Sequence, residues 1–133
     1  MNKVEFGKIG EEIACKYLIK SNYNLIDRNY YYKGGELDII AFDNNTKELV
    51  FIEVKTRANN EYGLPAEAVN SKKINNIIKG IRKYIHIKKI ENNYIRVDLL
   101  ELYYSKNKFY INHIKQIIWS YMCNNCKLQY LLN

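Results

Sequence analysis

The chain has 133 residues, 47% hydrophobic and 26% charged, which suits one domain with a single core and excludes an intrinsically disordered chain. The formal net charge of +7 favours an anionic partner. Glutamates in "MNKVEFGKIGEEIACKYL" stand where a secretory leader is apolar, no stretch approaches the roughly 20 apolar residues of a membrane span, and an odd number of cysteines argues against a disulfide framework, so the cytoplasm is the expected compartment.

Phe6, Ile9, Ile13 and Tyr17 recur at helical spacing and, widened by Ala14 and Leu18, predict an amphipathic helix from about Lys3 to Lys20. "SNYN" ends it, because Ser and Asn compete locally for backbone hydrogen bonds. "YNLIDRNYYYK" reads as a strand closed by Gly34-Gly35, "ELDIIAF" as a second and, after the polar turn "DNNTKE", "LVFIEVKTR" as a third. Strands joined by such short turns predict an antiparallel meander. "ANNEYGLPAEAVN" is a loop, broken by Gly63 and Pro65. Ser71 then opens a second helix with Ile74, Ile77, Ile78, Ile81 and Ile85 on its apolar face, and Lys72, Lys73, Lys79, Arg82 and Lys83 on the others. "NYIRVDLLELYY" and "KFYINHI" predict two more strands, and Ile117, Ile118, Tyr121 and Met122 a short helix in the tail. The expected architecture is α/β: an α-β-β-β-α-β-β order with helices packed on a mixed central sheet.

Chemistry concentrates between Gly34 and Arg57. Side chains alternate along a strand, so Glu53 shares a face with Lys55, and Glu36 with Asp38. A hairpin between these strands can set Asp38 beside Glu53. Adjacent carboxylates repel, and hard cations such as Mg²⁺ take one or two of them, completing the shell with water and phosphate oxygens. Alternating Glu and Lys on an exposed strand also make ordinary cross-strand ion pairs. Asp38 tips the balance: Asp is depleted in strands, yet here it lies between Leu37 and Ile39-Ile40.

"GELDII" followed by "VFIEVKTR" resembles the D-(x)n-E-x-K signature of the PD-(D/E)xK nuclease superfamily. Together with "GKIGEEIACKYL" and "EYGLPAEAVNSKK" it is similar, up to about Ile114, to the YraN family of nuclease-like bacterial proteins, which resembles archaeal Holliday junction resolvases in layout. The resemblance implies a restriction-endonuclease-like fold, with a nuclease-like domain over residues 1–114; the tail over 115–133 departs from it, and its helical spacing predicts a tail packed on or extending the same domain. It implies a Mg²⁺- or Mn²⁺-dependent endonuclease acting on nucleic acid, DNA over RNA and branched DNA by analogy, with a homodimer if two strands are cut. Asp38 and Glu53 would be the metal-binding carboxylates, the main-chain carbonyl of Val54 a further ligand, and Lys55 the catalytic lysine. Glu11 would complete the site directly or through water; helical periodicity alone leaves Glu11 and Glu12 nearly even. The superfamily's proline has no counterpart, since Gly35 and Glu36 occupy that stretch. Beside this core, Glu36 is a candidate auxiliary acid, and Arg57 and Lys73 are candidate nucleic-acid contacts, each also readable as an ordinary surface charge. A non-catalytic nucleic-acid-binding module of the same fold is the competing expectation.

Other features read as structural. "CNNC" (Cys123 and Cys126) has zinc-ligand spacing but no second pair. Cys15 suits helix packing, His86 and His113 have no paired nucleophile, and Trp119 suits a satellite contact. Asn, Ile, Lys and Tyr share A/T-rich codons, so the 13 tyrosines do not by themselves mark a base-stacking surface.

Overall fold

A computed structural model describes residues 2–58 and 71–118. Helix α1 (Lys3–Lys20) starts at Asn2, whose side chain accepts the Glu5 N–H at 2.9 Å, and stops where Asn22 takes a left-handed φ of 68°. Strands β1 (Tyr23–Tyr32), β2 (Gly35–Asp43) and β3 (Glu48–Ala58) form the expected antiparallel meander. Helix α2 (Ser71–Lys88) crosses over to β4 (Tyr94–Ser105), which pairs parallel with β3, and β5 (Lys108–Ile114) returns antiparallel on β4. The five strands lie in chain order in one mixed sheet.

Strand alternation divides the interior into two layers. Leu49 and Phe51 of β3 join Ile95 and Val97 of β4 under α2, whose Ile74, Ile77, Ile81, Tyr84 and Ile85 close that side. Val50 and Ile52 join Leu100 and Leu102 under Ala14, Cys15 and Leu18 of α1. The second helix buries the stripe expected of it. In α1 the stripe is rotated: Gly10, Ala14, Cys15 and Leu18 are buried, while Ile9 is 37% exposed. Small residues win that face because they let the helix backbone approach β3. A Cβ on Gly10 would collide with the Thr56 hydroxyl and lie 3.0 Å from both Thr56 carbons. Rotating Thr56 cannot clear both. Gly10→Ala is therefore expected to destabilise the domain by about 1–2 kcal/mol, overpacking outweighing the gain in helix propensity. Thermal melts should show Thr56→Ala recovering part of the loss in the double variant.

After β5 the chain runs back beside β4: the Ile117 N–H donates to the Val97 carbonyl at 2.8 Å, and Ile118 is fully buried beneath α2. Residues 117–118 form a turn. The rest of the expected tail helix, with Trp119, Cys123 and Cys126, lies outside the described residues, as does the loop of Gly63 and Pro65. No helix among the described residues is long and apolar enough to cross a membrane.

Candidate active site

The β2–β3 ladder runs from Asp43↔Glu48 to Ile39↔Ile52 and stops. One step further the register would set Asp38 opposite Glu53. There the backbone pairing gives way to a side chain, as Asp38 Oδ2 accepts the Val54 N–H at 2.9 Å. Leu37 and Ile40 both belong to the α2-side layer although three residues apart, so strict alternation slips once at this point. The open ends of two central strands thus hold an acid pair, and a hydrogen bond joins the two carboxyl groups.

Both acids hold protons more tightly than usual. Burial and then the Glu53 charge push the Asp38 carboxyl up to about 8, against the Val54 N–H, with Glu11 and Glu36 adding to the rise. Burial also raises Glu53, opposed by Lys73, whose Nζ lies 3.5 Å from Glu53 Oε2. Lys73, expected to face a phosphate, is thus salt-bridged to a site acid, because the first turn of α2 passes over the end of β3.

Beside Asp38 opens a cleft of about 1010 Å³. Gly7, Glu11 and Glu12 of α1, Arg28 of β1, Glu36 of β2, and Val54, Lys55 and Thr56 of β3 line it together with Asp38. Glu53 is not among the lining residues; it reaches the cleft only through Asp38. Lys55 is exposed at the wall, and Lys3 and Lys8 add positive charge at the α1 side.

The two helix acids separate clearly. Glu12 is 60% exposed and pairs with Arg28 at 2.8 Å. Glu11 Oε1 is buried and accepts no hydrogen bond among the described residues. Burial, then Glu36, raise the Glu11 carboxyl, countered by Arg28. Arg57, read as a nucleic-acid contact or an ordinary surface charge, is 7% exposed and its Nε lies 3.3 Å from Glu101 Oε2. The parallel register sets Glu101 of β4 opposite Lys55 and within reach of Arg57, a meeting made by the β3–β4 crossover rather than by local spacing.

The donor set fits a hard divalent cation: oxygen ligands, a half-buried Asp38 carboxyl beside a buried Glu53 carboxyl, both in need of positive charge, and a third acid with an unused buried oxygen. Among the described residues, however, no three His, Cys, Asp or Glu side chains converge closely enough to hold a metal ion by themselves. Glu11 therefore fits a role through water better than direct ligation.

A second charged cluster, at the far end of the sheet, escaped the sequence reading. Arg96 reaches Asp43 at 3.0 Å, Glu48 at 2.8 Å, Asp98 at 2.9 Å and the Tyr23 hydroxyl at 2.6 Å. Asp98 also meets His113 Nε2 at 2.7 Å, and the other ring nitrogen of His113 meets the Tyr17 hydroxyl at 2.9 Å. His113 is thus tied into a network that joins α1, β4 and β5. A signal was present, since Asp98 sits inside the apolar run "YIRVDLLELYY" much as Asp38 sits in "ELDIIAF".

A mixed five-stranded sheet in α-β-β-β-α-β-β order, covered by a helix on each face, is an α/β architecture of restriction-endonuclease-like layout. The chain belongs to the Uncharacterised protein family UPF0102, whose profile matches residues 10–102 and which is the YraN family of the sequence resemblance. A UPF0102 protein of Carboxydothermus hydrogenoformans is 40% identical over 118 residues, covering 89% of this chain and 98% of its own. One of Clostridium botulinum is 42% identical over 113 residues, covering 84% and 91%. A solved structure described as "Crystal structure of SSO0001" overlays with a TM-score of 0.36 at 16% identity, covering 96% of this chain and 60% of that one.

Proposed function

We propose that this protein is a metal-dependent nuclease that hydrolyses phosphodiester bonds in nucleic acid, DNA in preference to RNA, with branched DNA the substrate suggested by the junction-resolvase resemblance. The observation that carries the reading is the pairing of half-buried Asp38 with buried Glu53 at the parting of β2 and β3, with Lys55 on the wall of the adjoining cleft. Asp38, Glu53 and the main-chain carbonyl of Val54 would hold Mg²⁺ or Mn²⁺, with Glu11 supporting it through water. Such an ion, when bound, supplies Lewis-acid stabilisation of phosphoryl charge and a water acidic enough to attack.

The chain's own groups have distinct tasks. Asp38 has to release its proton before it can act as a ligand, so binding of the ion should strengthen as pH rises. Lys55, exposed in the cleft, steadies the attacking hydroxide or the charge that builds on the phosphate. Glu36 contributes negative potential close to Asp38. Lys3, Lys8 and Arg28 draw the phosphodiester towards the acids, whose own charge would otherwise repel it. The cytoplasm is the compartment this reading calls for.

The test is a panel of branched, duplex and single-stranded DNA and RNA, with and without Mg²⁺ or Mn²⁺. Wild type is expected to cleave at least one DNA form only with the ion, and Asp38→Asn and Lys55→Ala to fall to background while remaining folded. Equal cleavage by all three would eliminate this active site. One observation favours the second reading, a nucleic-acid-binding module that does not cut: no three acidic ligands converge among the described residues. Tight binding without turnover under either ion would support that module.

A further inference from the structure

The six cations of α2, Lys72, Lys73, Lys79, Arg82, Lys83 and Lys88, stand on a helix of 18 residues that holds no acid at all. They nearly equal the net charge of +7 carried by the whole chain. A genome-wide bias towards lysine does not account for this, because α1, of the same length, mixes its lysines with Glu5, Glu11 and Glu12. Like charges one turn apart, such as Lys79 and Lys83, weaken a helix, and α2 carries no i+3 or i+4 glutamate to relieve them. The cations face outward: Lys72, Lys79, Arg82, Lys83 and Lys88 are exposed. Lys83 lies 5.7 Å over the Tyr32 ring and Lys88 5.9 Å over the Tyr84 ring, which limits how far these two charges wander.

Two further facts select the occupant. The apolar side of α2 is spent in the core through Ile74, Ile77, Ile81, Tyr84 and Ile85, so the helix has no hydrophobic face to sink into a bilayer. At its N-terminal end Lys73 reaches Glu53, the hydrogen-bonded neighbour of Asp38, so the basic face ends at the acid pair. Eighteen residues span roughly 27 Å, enough to follow several phosphates of one duplex.

We propose that the outward face of α2 is the docking surface for the phosphate backbone of a nucleic-acid duplex, holding it so that its path runs off the helix N-terminus to Asp38 and Glu53. The assignment of a substrate path rests on the nuclease reading; the binding surface is measured separately from cleavage. Fluorescence anisotropy of a labelled DNA duplex in EDTA, over roughly 50 to 150 mM salt, would compare wild type with Lys72→Gln/Lys79→Gln/Arg82→Gln. A control, Lys16→Gln/Lys20→Gln/Lys106→Gln, removes the same charge from α1 and the β4–β5 turn.

The α2 variant is expected to lower the log–log salt slope by about 2.7, so that it loses about 20-fold less affinity than wild type across that range. The control should change the slope by less than about one. Equal changes in both variants, an unchanged slope in the α2 variant, or no salt-dependent binding by wild type would overturn the surface. Displacement of the duplex by poly-glutamate at equal charge concentration would instead identify an acidic protein as its occupant. If the slope falls as expected but wild type cuts nothing under Mg²⁺ or Mn²⁺, the surface stands and the nuclease reading fails. If wild type cuts and the slope does not move, the reverse holds.

Discussion

Arg96→Met should cost about 3–5 kcal/mol of folding stability, a large part of what a domain of this size possesses. Methionine has a similar reach, so the loss reflects charge rather than an empty space. Without the guanidinium, Asp43 and Asp98, 2% and 0% exposed, keep their burial and lose the cation that compensates it. Burial opposes ionisation of Asp43, but hydrogen bonds from Arg96, then from Asn45 and Thr46, hold its carboxyl down at about 2. For Asp98 burial is likewise outweighed, by His113, Arg96 and the Gln116 N–H, and its carboxyl is lowered.

The sign of the pH dependence follows. A carboxyl lowered on folding adds stability that is fully present above its unfolded value, near 3.8 for Asp, and is lost as pH falls through the folded value, here about 2 for Asp43. Wild type should therefore lose stability steeply between about pH 4 and pH 2, and Arg96→Met should lose much less over that window. Denaturant melts at pH 7, 4 and 2.5 measure both effects. Adding Asp98→Asn to Arg96→Met should restore part of the loss at pH 7; simple additivity of the two would show that the residues are not coupled.

Asp38→Asn has the opposite effect on stability and abolishes the proposed activity. Asn is nearly the shape of a protonated Asp: its oxygen can accept the Val54 N–H and its amide can donate to Glu53. In wild type the folded state retains the Asp38 proton up to about 8, whereas the unfolded chain releases it near 3.8. The folded state then binds more protons than the unfolded one throughout that interval, so stability falls as pH rises across it. The variant is free of that decline. Its melting temperature should match wild type near pH 4 and exceed it by about 3–10 °C at pH 8. Mn²⁺ at pH 8 should then raise the wild-type melting temperature and leave the variant nearly unmoved. A difference independent of pH, or a destabilised variant, would mean that the two acids are not held together as described.

The same contrast between local and distant causes decides what could be read beforehand. Helix α1 was legible to the residue, because its cap, its length and its terminating Asn22 are local events. Its buried stripe was legible only in part, at Ala14, Cys15 and Leu18, because whether Ile9 or Gly10 faces the sheet depends on how closely β3 approaches. Asp38 and Glu53 could be paired in advance because one short hairpin joins them. Which acids Arg57 and Lys73 meet was not legible, because those partners come from elsewhere: Glu101 through the parallel crossover, and Glu53 through the docking of α2.

Taken by itself, the order of residues determined the element sequence, the meander and the meeting of Asp38 with Glu53, since periodicity, turn chemistry and a misplaced Asp act over a few positions. The tertiary structure alone decided that Glu11 rather than Glu12 keeps an uncommitted oxygen, that Lys73 neutralises Glu53, and that Arg96 gathers Asp43, Glu48 and Asp98. Charges have long reach and no periodicity. Which of them meet is set by strand register and helix docking, and only after burial does each meeting become strong enough to matter.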